Sequence, residues 1–511
     1  MSIPAPLNNE AFKKKKRAFQ IIDQAKMLRG PDSLFLSPAK TNDFSENSQP
    51  RALRGLARII DGGLCHRCGT CIGICPTKVL AKDQEDYPYV QNLSACTDCD
   101  LCVKVCPGDE FDFKRNHQRV FGEAGEIADT HGHFSEASIA YASDPQIQQR
   151  STSGGLVTAI LLYLIESRKI DGALVIVSDE EELWRGKPLI ARNREQILAA
   201  MKSKYAISPT NELFSEIRSM PGKYAIVGLP CQIHGFRKAV ELDKRLAERI
   251  VLAIGLFCHA AIEHDALRII WDSLGEYKER AISYISRVGK HPGTPHIQLD
   301  DGSLRPVYFP EKKWYRPTSM EIINIVYRLY TPKRCLTCFD ALAEFADIAI
   351  GDPWLAPPHN GVDFSKGWSF ALIRTKIGEK IYKDALQAGY FAEEKITKRE
   401  ALACNTMMAG EKRHRAFRSI ETLKRQGKPI PAYGEFGFSL PSQSGIQFVK
   451  TEIHMLTHVF CYLPKLRAPV LKFFLSNWGY IPLWLNHKRR YLRTFLRDQK
   501  TSLLNKFFGR R

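Results

Sequence analysis

The sequence predicts a mixed α/β protein: a small cysteine-rich module, then an α/β core on a parallel or mixed sheet, then a basic helical C-terminal extension. Three observations predict it. Two short cysteine runs lie between residues 65 and 107 and hold eight of the 14 cysteines. From about residue 135, apolar strand-like runs alternate with helical stretches, the pattern of a sheet covered by helices. Beyond about residue 440 the chain turns aromatic and basic. At 511 residues it exceeds one ordinary domain, and 44% apolar with 25% charged residues is a globular composition.

Residues 1 to about 55 read as a polar lead-in with scattered Pro and Asn and a basic run from Lys13 to Arg17. No apolar stretch follows that charge, so it does not read as a secretory signal, and a cytoplasmic location is expected. In a reducing compartment disulfides are disfavoured, and clustered cysteines point to metal ligation.

The module expected over about 56–115 carries that ligation. Its runs are CHRCGTCIGICP (Cys65, Cys68, Cys71, Cys75) and CTDCDLCVKVCP (Cys96, Cys99, Cys102, Cys106). Both follow C-x2-C-x2-C-x3-C-P, the bacterial ferredoxin run whose fourth cysteine ligates the other cluster. The expected sets are Cys65, Cys68, Cys71 and Cys106 for one [4Fe-4S] cluster, and Cys96, Cys99, Cys102 and Cys75 for the other. Zinc also takes C-x2-C pairs, but it gives no reason for a doubled four-cysteine run with its prolines.

In the core, expected over about 135–410, the clearest strands are residues 172–178, 224–230, 250–257 and 346–352. Residues 296–309 alternate around Asp301-Gly302 and read as a hairpin. Three strands end in chemistry: at Cys231, at Cys258 and at Asp352. Ligands bind at the carboxyl ends of strands in open α/β sheets, so these residues are expected at one crevice. With Cys335 and Cys338 of KRCLTC, four cysteines could hold a third four-iron cluster. The competing reading makes Cys231 and Cys258 small buried core residues, which is common for free Cys.

A Ser/Thr/Gly turn opens a long apolar helix at STSGGLVTAILLYLIES. Ser151, Ser153, Gly154 and Gly155 suit the approach of backbone N–H groups to a phosphate. Ordinary N-capping followed by glycine explains the same residues. No G-x-G-x-x-G and no G-x-x-x-x-G-K-[ST] occurs, so neither standard nucleotide loop is supported.

The segments SDPQIQQRSTSGGLVTAIL, KSKY, AIVGLPCQIHGFRK, IGLFCH and CLTCFDALAEFADIAIGDPW resemble the coenzyme F420-reducing hydrogenase and dehydrogenase beta subunits, over about residues 60–410. The resemblance implies an FAD-binding core with a four-iron cluster beside the flavin. It places Ser153, Gly154 and Gly155 against the FAD phosphates, and Lys204 and Tyr205 on the flavin or substrate side. Gly228, Pro230 and Gln232 would shape the loop near the isoalloxazine. Cys231, Cys258, Cys335 and Cys338 would hold the cluster. Glu344, Asp347, Gly351 and Asp352 belong to the closing motif, with Asp352 assigned to the site. No catalytic acid or base is assigned.

The implied function is an iron–sulfur flavoprotein passing electrons between a deazaflavin such as coenzyme F420 and one-electron carriers, a ferredoxin or a redox partner protein. Two competitors are a ferredoxin-fed flavin reductase of another organic substrate and a non-catalytic electron-transfer adaptor. The net charge of +19 alone would also suit nucleic acid, but that reading leaves the cofactor motifs unexplained. In the extension, residues 440–511, Tyr491, Leu492, Phe495, Leu496, Leu503, Leu504, Phe507 and Phe508 recur at helical spacing among Arg and Lys. Such a helix fits the inner face of an anionic membrane, or packs on the core or a partner protein.

Overall fold

The computed structural model describes residues 50–122, 130–289, 293–307, 319–354, 366–434, 457–476, 478–479, 481–485 and 488–489. Residues 1–49 of the lead-in and the C-terminal helix expected around 491–508 lie outside the described residues.

The cysteine module is built from two similar halves. The short helices Thr70–Ile74 and Leu101–Lys104 carry the third cysteine of each run. Strands β1 (Leu80–Lys82) and β2 (Pro88–Val90) pair antiparallel. An amphipathic helix, Arg51–Asp61, buries Leu53, Leu56, Ile59 and Ile60 against them, reaching back into what the sequence reads as lead-in.

The core is one eight-stranded sheet. Its strands are β3 (Glu136–Ala142), β4 (Gly172–Ser178), β5 (Gly186–Ala191), β6 (Tyr224–Gly228), β7 (Ile250–Leu256), β11 (Ile348–Gly351), β12 (Ser369–Ile373) and β13 (Phe391–Lys395). A separate three-stranded sheet holds β8 (Ala281–Val288), β9 (Thr294–Leu299) and β10 (Leu304–Pro306). The large sheet runs β13-β3-β12-β11-β7-β6-β4-β5. Its centre, β11-β7-β6-β4, is parallel, and antiparallel strands complete both sides. The sheet is mixed, as expected. The run 224–230 gives a strand only to Gly228, because Pro230 opens the next helix.

Alternate residues go to opposite faces. Ile226, Ala253, Phe370 and Leu372 join one cluster, shared with the cysteine module's Ile74, Val105, Phe111 and Phe113. Ala225, Leu252, Ile254 and Ala371 face the helices Leu156–Glu166 and Lys376–Gln387. Burial on both faces is why these strands read as continuous apolar runs.

The small sheet packs with the helices His264–Asp272 and Ser319–Tyr330 and with Leu471 and Leu483 of the C-terminal extension. Arg467 pairs with Asp265 at 3.0 Å. The described part of the extension is therefore seated against the small sheet and its helices. Among the described residues no helix is long and apolar enough to cross a membrane.

Candidate metal centres and the adjoining crevice

In each cysteine run the chain bends twice at matching places. Arg67 and Asp98 precede the second cysteine, Gly69 and Asp100 follow it, and all four have positive φ of 52° to 83°. These left-handed turns fold each C-x2-C-x2-C segment back on itself. Backbone N–H groups of Arg67 and Val79 donate to the sulfurs of Cys65 (3.3 Å) and Cys75 (3.4 Å).

The thiols influence one another in crossed sets. Cys65, Cys68 and Cys106 bear on Cys71, and Cys75, Cys99 and Cys96 bear on Cys102. Each run's fourth cysteine thus sits with the other run's first three. Burial first, then neighbouring thiols, push Cys68 up to about 11 and Cys102 to about 12. Thiols so placed ionise only if a cationic centre joins them. Among the described residues no His, Cys, Asp or Glu group is tight enough to hold a single metal ion.

The core cysteines also come together. β6, β7 and β11 are adjacent and parallel, so Cys231, Cys258 and Asp352 leave the same edge of the sheet. The short helix Lys333–Leu336 brings Cys335 and Cys338 to them. Cys335, Cys258 and Cys338 all bear on Cys231, and so does Cys68 of the module. Burial and the neighbouring thiols push Cys258 up to about 11, against the opposing pull of Lys412.

Three buried cations surround this core group. Lys412 Nζ donates to the carbonyl oxygens of Cys258 (2.7 Å) and Asp340 (2.6 Å). Arg415 contacts His259 Nε2 and its carbonyl oxygen, both at 2.9 Å. Arg334 donates to Gly108 O (3.1 Å) and to the Tyr433 hydroxyl (2.9 Å). All three are at most 2% exposed. Lys412 and Arg415 escape a reading of the sequence, because GEKRHRAFR has the look of a solvated helix. The available signal was that they lie three residues apart on the side carrying Ala409 and Ala416.

The module is locked to the core beside these thiols. Asn211 donates through Nδ2 to Thr70 Oγ1 (2.9 Å) and to Gln232 O (2.8 Å), and through its backbone N–H to Cys68 O (3.1 Å). A Cβ on Gly73 would stand 2.1 Å from Asn211 O, and one on Gly235 would stand 2.2 Å from Thr70 Oγ1.

The other expected residues divide. Lys202 donates to Ser151 O (3.4 Å) and Arg287 O (3.1 Å), and Ser203 N–H to Thr152 Oγ1 (3.0 Å). Arg287 donates to the Tyr205 hydroxyl (2.9 Å) and to Asp352 Oδ2 (2.7 Å). Arg287, a residue that no sequence motif marks, thus joins Tyr205, Asp352 and, through Lys202, the serine turn in one hydrogen-bonded group. Tyr327 lies beside this group; burial first, then Tyr205 and Cys258, raise its phenol.

Six residues take structural work. Lys204 turns its ammonium onto the carbonyls of Ala200 (3.1 Å), Met201 (2.6 Å) and Lys202 (3.2 Å), and burial pulls it down to about 8. Gln232 accepts from Leu229 N–H (2.7 Å) and donates to Ser208 O (2.7 Å) and Thr210 Oγ1 (2.9 Å). A Cβ on Gly154 would meet Ala140 O at 2.4 Å, and Gly155 has φ +81° against Ile147 and Ser151. Both glycines are therefore required by protein packing. Gly228 fits closely over Gln232, and Pro230 opens the helix Pro230–Leu242 that carries Cys231.

Comparison with known proteins matches these regions separately. Residues 222–399 match the C terminus of the coenzyme F420 hydrogenase/dehydrogenase beta subunit, and residues 137–215 match its N-terminal part. Residues 57–107 match a 4Fe-4S dicluster domain. A coenzyme F420-dependent sulfite reductase of Methanocaldococcus jannaschii is 31% identical over 346 residues, 65% of this chain. The chain spans about half that relative's length (47%). A coenzyme F420 hydrogenase subunit beta of Methanothermobacter thermautotrophicus is 27% identical over 59% of this chain and 99% of its own length. In a solved structure of the F420-reducing [NiFe] hydrogenase complex from Methanosarcina barkeri, one chain aligns with 24% identity and a TM-score of 0.47, over 61% of this chain and 100% of that one. The chain belongs to the coenzyme F420 hydrogenase/dehydrogenase beta-subunit family of oxidoreductase components and carries a 4Fe-4S dicluster domain ahead of it.

Proposed function

We propose that this protein passes electrons between a two-electron carrier of the coenzyme F420 type and one-electron carriers, using FAD in the crevice and three [4Fe-4S] clusters. The observation that carries the reading is the continuity of the thiol groups. Cys231 of the core set is influenced by Cys68, and Cys71 of the first module set by Cys102 of the second. The three groups form a line from the buried crevice to Cys99, which is exposed.

The ligand sets follow the grouping of the thiols. Cys65, Cys68, Cys71 and Cys106 hold one cluster, Cys96, Cys99, Cys102 and Cys75 the second, and Cys231, Cys258, Cys335 and Cys338 the third. For FAD the support is narrower. Gly154 and Gly155 are accounted for by packing, so the anionic group is left to Lys202, Arg287 and the first turn of the helix Leu156–Glu166. Bound flavin supplies the conversion between two-electron and one-electron chemistry. Arg287 holds Tyr205 and Asp352 at the crevice wall, and the four core cysteines fix the nearest one-electron centre. Cofactor analysis of anaerobically purified protein checks this reading. About 12 irons and one flavin per chain are expected; about 8 irons, or no flavin, would overturn it.

We also propose a peripheral seat on an anionic membrane. Leu466, Phe473, Trp478, Ile481 and Leu485 are exposed, with Trp478 at 73%, and Lys465, Lys472 and Lys488 lie exposed among them. Basic residues beside an aromatic and aliphatic face suit anionic headgroups.

A further inference from the structure

We propose that Lys412 and Arg415 form a fixed counter-charge that raises the reduction potential of the core cluster, and that Arg334 shares its charge between the core cluster and the neighbouring cluster of the module. The inference rests on the reading that Cys231, Cys258, Cys335 and Cys338 hold a cluster.

A cubane with four thiolates is anionic when oxidised and gains a further negative charge on reduction. Burying it therefore opposes reduction, since the more highly charged state loses more hydration. The core group is largely withdrawn from water: Cys338 is 7% exposed, and Cys231, Cys258 and Cys335 are part-buried. Unaided, such a cluster would be hard to reduce from a carrier reaching the module.

The cations act on that problem. Lys412 is 2% exposed and Arg415 1%, which is unusual for charged side chains without ionic partners. Among the described residues neither has a carboxylate within ion-pair distance, and their hydrogen bonds go to carbonyl oxygens and to His259. The strongest influences that favour charge on Arg415, against its burial, come from thiols: Cys335, Cys338, Cys258 and Cys461. Arg415 Nε–H is buried with no partner among the described residues, leaving one donor over beside the thiols. Two buried cations beside the four core thiols, with no carboxylate in ion-pair contact and Asp340 adding only a longer-range pull on Lys412, are matched by an anionic centre that the thiols hold. A cation there stabilises the reduced cluster more than the oxidised one, because attraction scales with charge. Arg334 differs in position. It bonds to Pro107 O and Gly108 O behind Cys106, and both Cys338 and Cys106 bear on its charge.

The test is an EPR-monitored anaerobic redox titration of the full chain, with iron content measured on each sample. The core signal is assigned as the one altered in Cys258→Ser. Lys412→Met should move that signal to lower potential, leave the outer module cluster in place, and be reversed by Lys412→Arg. Arg334→Gln should lower two signals. A core midpoint unchanged in Lys412→Met at full iron content overturns the proposal. Should Lys412→Met lose the cluster, Arg415→Gln carries the same test. Loss of core iron in Lys412→Met, Lys412→Arg and Arg415→Gln alike would assign these residues to building the loop, and also overturns it. A wild-type chain with only the two module signals would instead defeat the reading of the core cysteines themselves.

Discussion

Two groups of four thiols, at opposite ends of the line, have unlike surroundings. The outer group, Cys75, Cys96, Cys99 and Cys102, lies at a surface where Asp98 and Asp100 meet Arg51. The core group has no exposed member and is faced by Lys412, Arg415 and Arg334. The outer group's ligands come from the two cysteine runs, and the core group's come from the first turn of the helix Pro230–Leu242, the end of β7 and the segment around the helix Lys333–Leu336. Identical side chains can therefore serve different ends: under the proposed function, the outer group would exchange electrons with a mobile carrier and the core group with a bound two-electron centre.

The largest effect should come from removing a core ligand. Cys258→Ala is expected to lose about four irons per chain and to uncouple the crevice from the module, while the two module clusters persist. Iron analysis with EPR checks this, and retention of about 12 irons would break the distinction between the groups. Next comes the joint that holds the two ends in register. Gly73→Val places a side chain where a Cβ already stands 2.1 Å from Asn211 O. It should cost about 1–3 kcal/mol, the usual range for overpacking, and slow transfer between core and module; thermal unfolding and rapid-mixing reduction measure the two. The smallest effect concerns the periphery. Phe473→Ser with Trp478→Ser should weaken co-flotation with anionic vesicles and leave the clusters untouched; unchanged flotation would remove the membrane seat. Point substitutions suit this test better than truncation, because Leu471 and Leu483 beside them are buried in the core.

Local chemistry was legible in the sequence, and assembled surroundings were not. Both cysteine runs carry their ligand pattern in twelve-residue stretches, and the strands at 172–178 and 250–256 show through because buried parallel strands are uniformly apolar. The meeting of Cys231, Cys258 and Asp352 followed from one rule about strand ends. The cations did not show, since Lys412 and Arg415 sit in a helix whose other charges are solvated. Arg287 comes from β8, far from any motif, and reaches Asp352 only through the packing of the small sheet. For Gly154 and Gly155 two readings stay open in the sequence: a glycine pair ahead of a helix has the same appearance whether a phosphate or a neighbouring strand fills the space.

The central claim is that electrons cross this chain between a two-electron carrier at the crevice and the exposed end of the module. The most direct test is an anaerobic spectral titration with reduced coenzyme F420, with NADH, NADPH and dithionite in parallel. The expected result is reduction of the clusters by reduced F420 in wild type and its loss in Cys258→Ala. Cluster reduction by dithionite alone, with reduced F420 inert, would contradict the account.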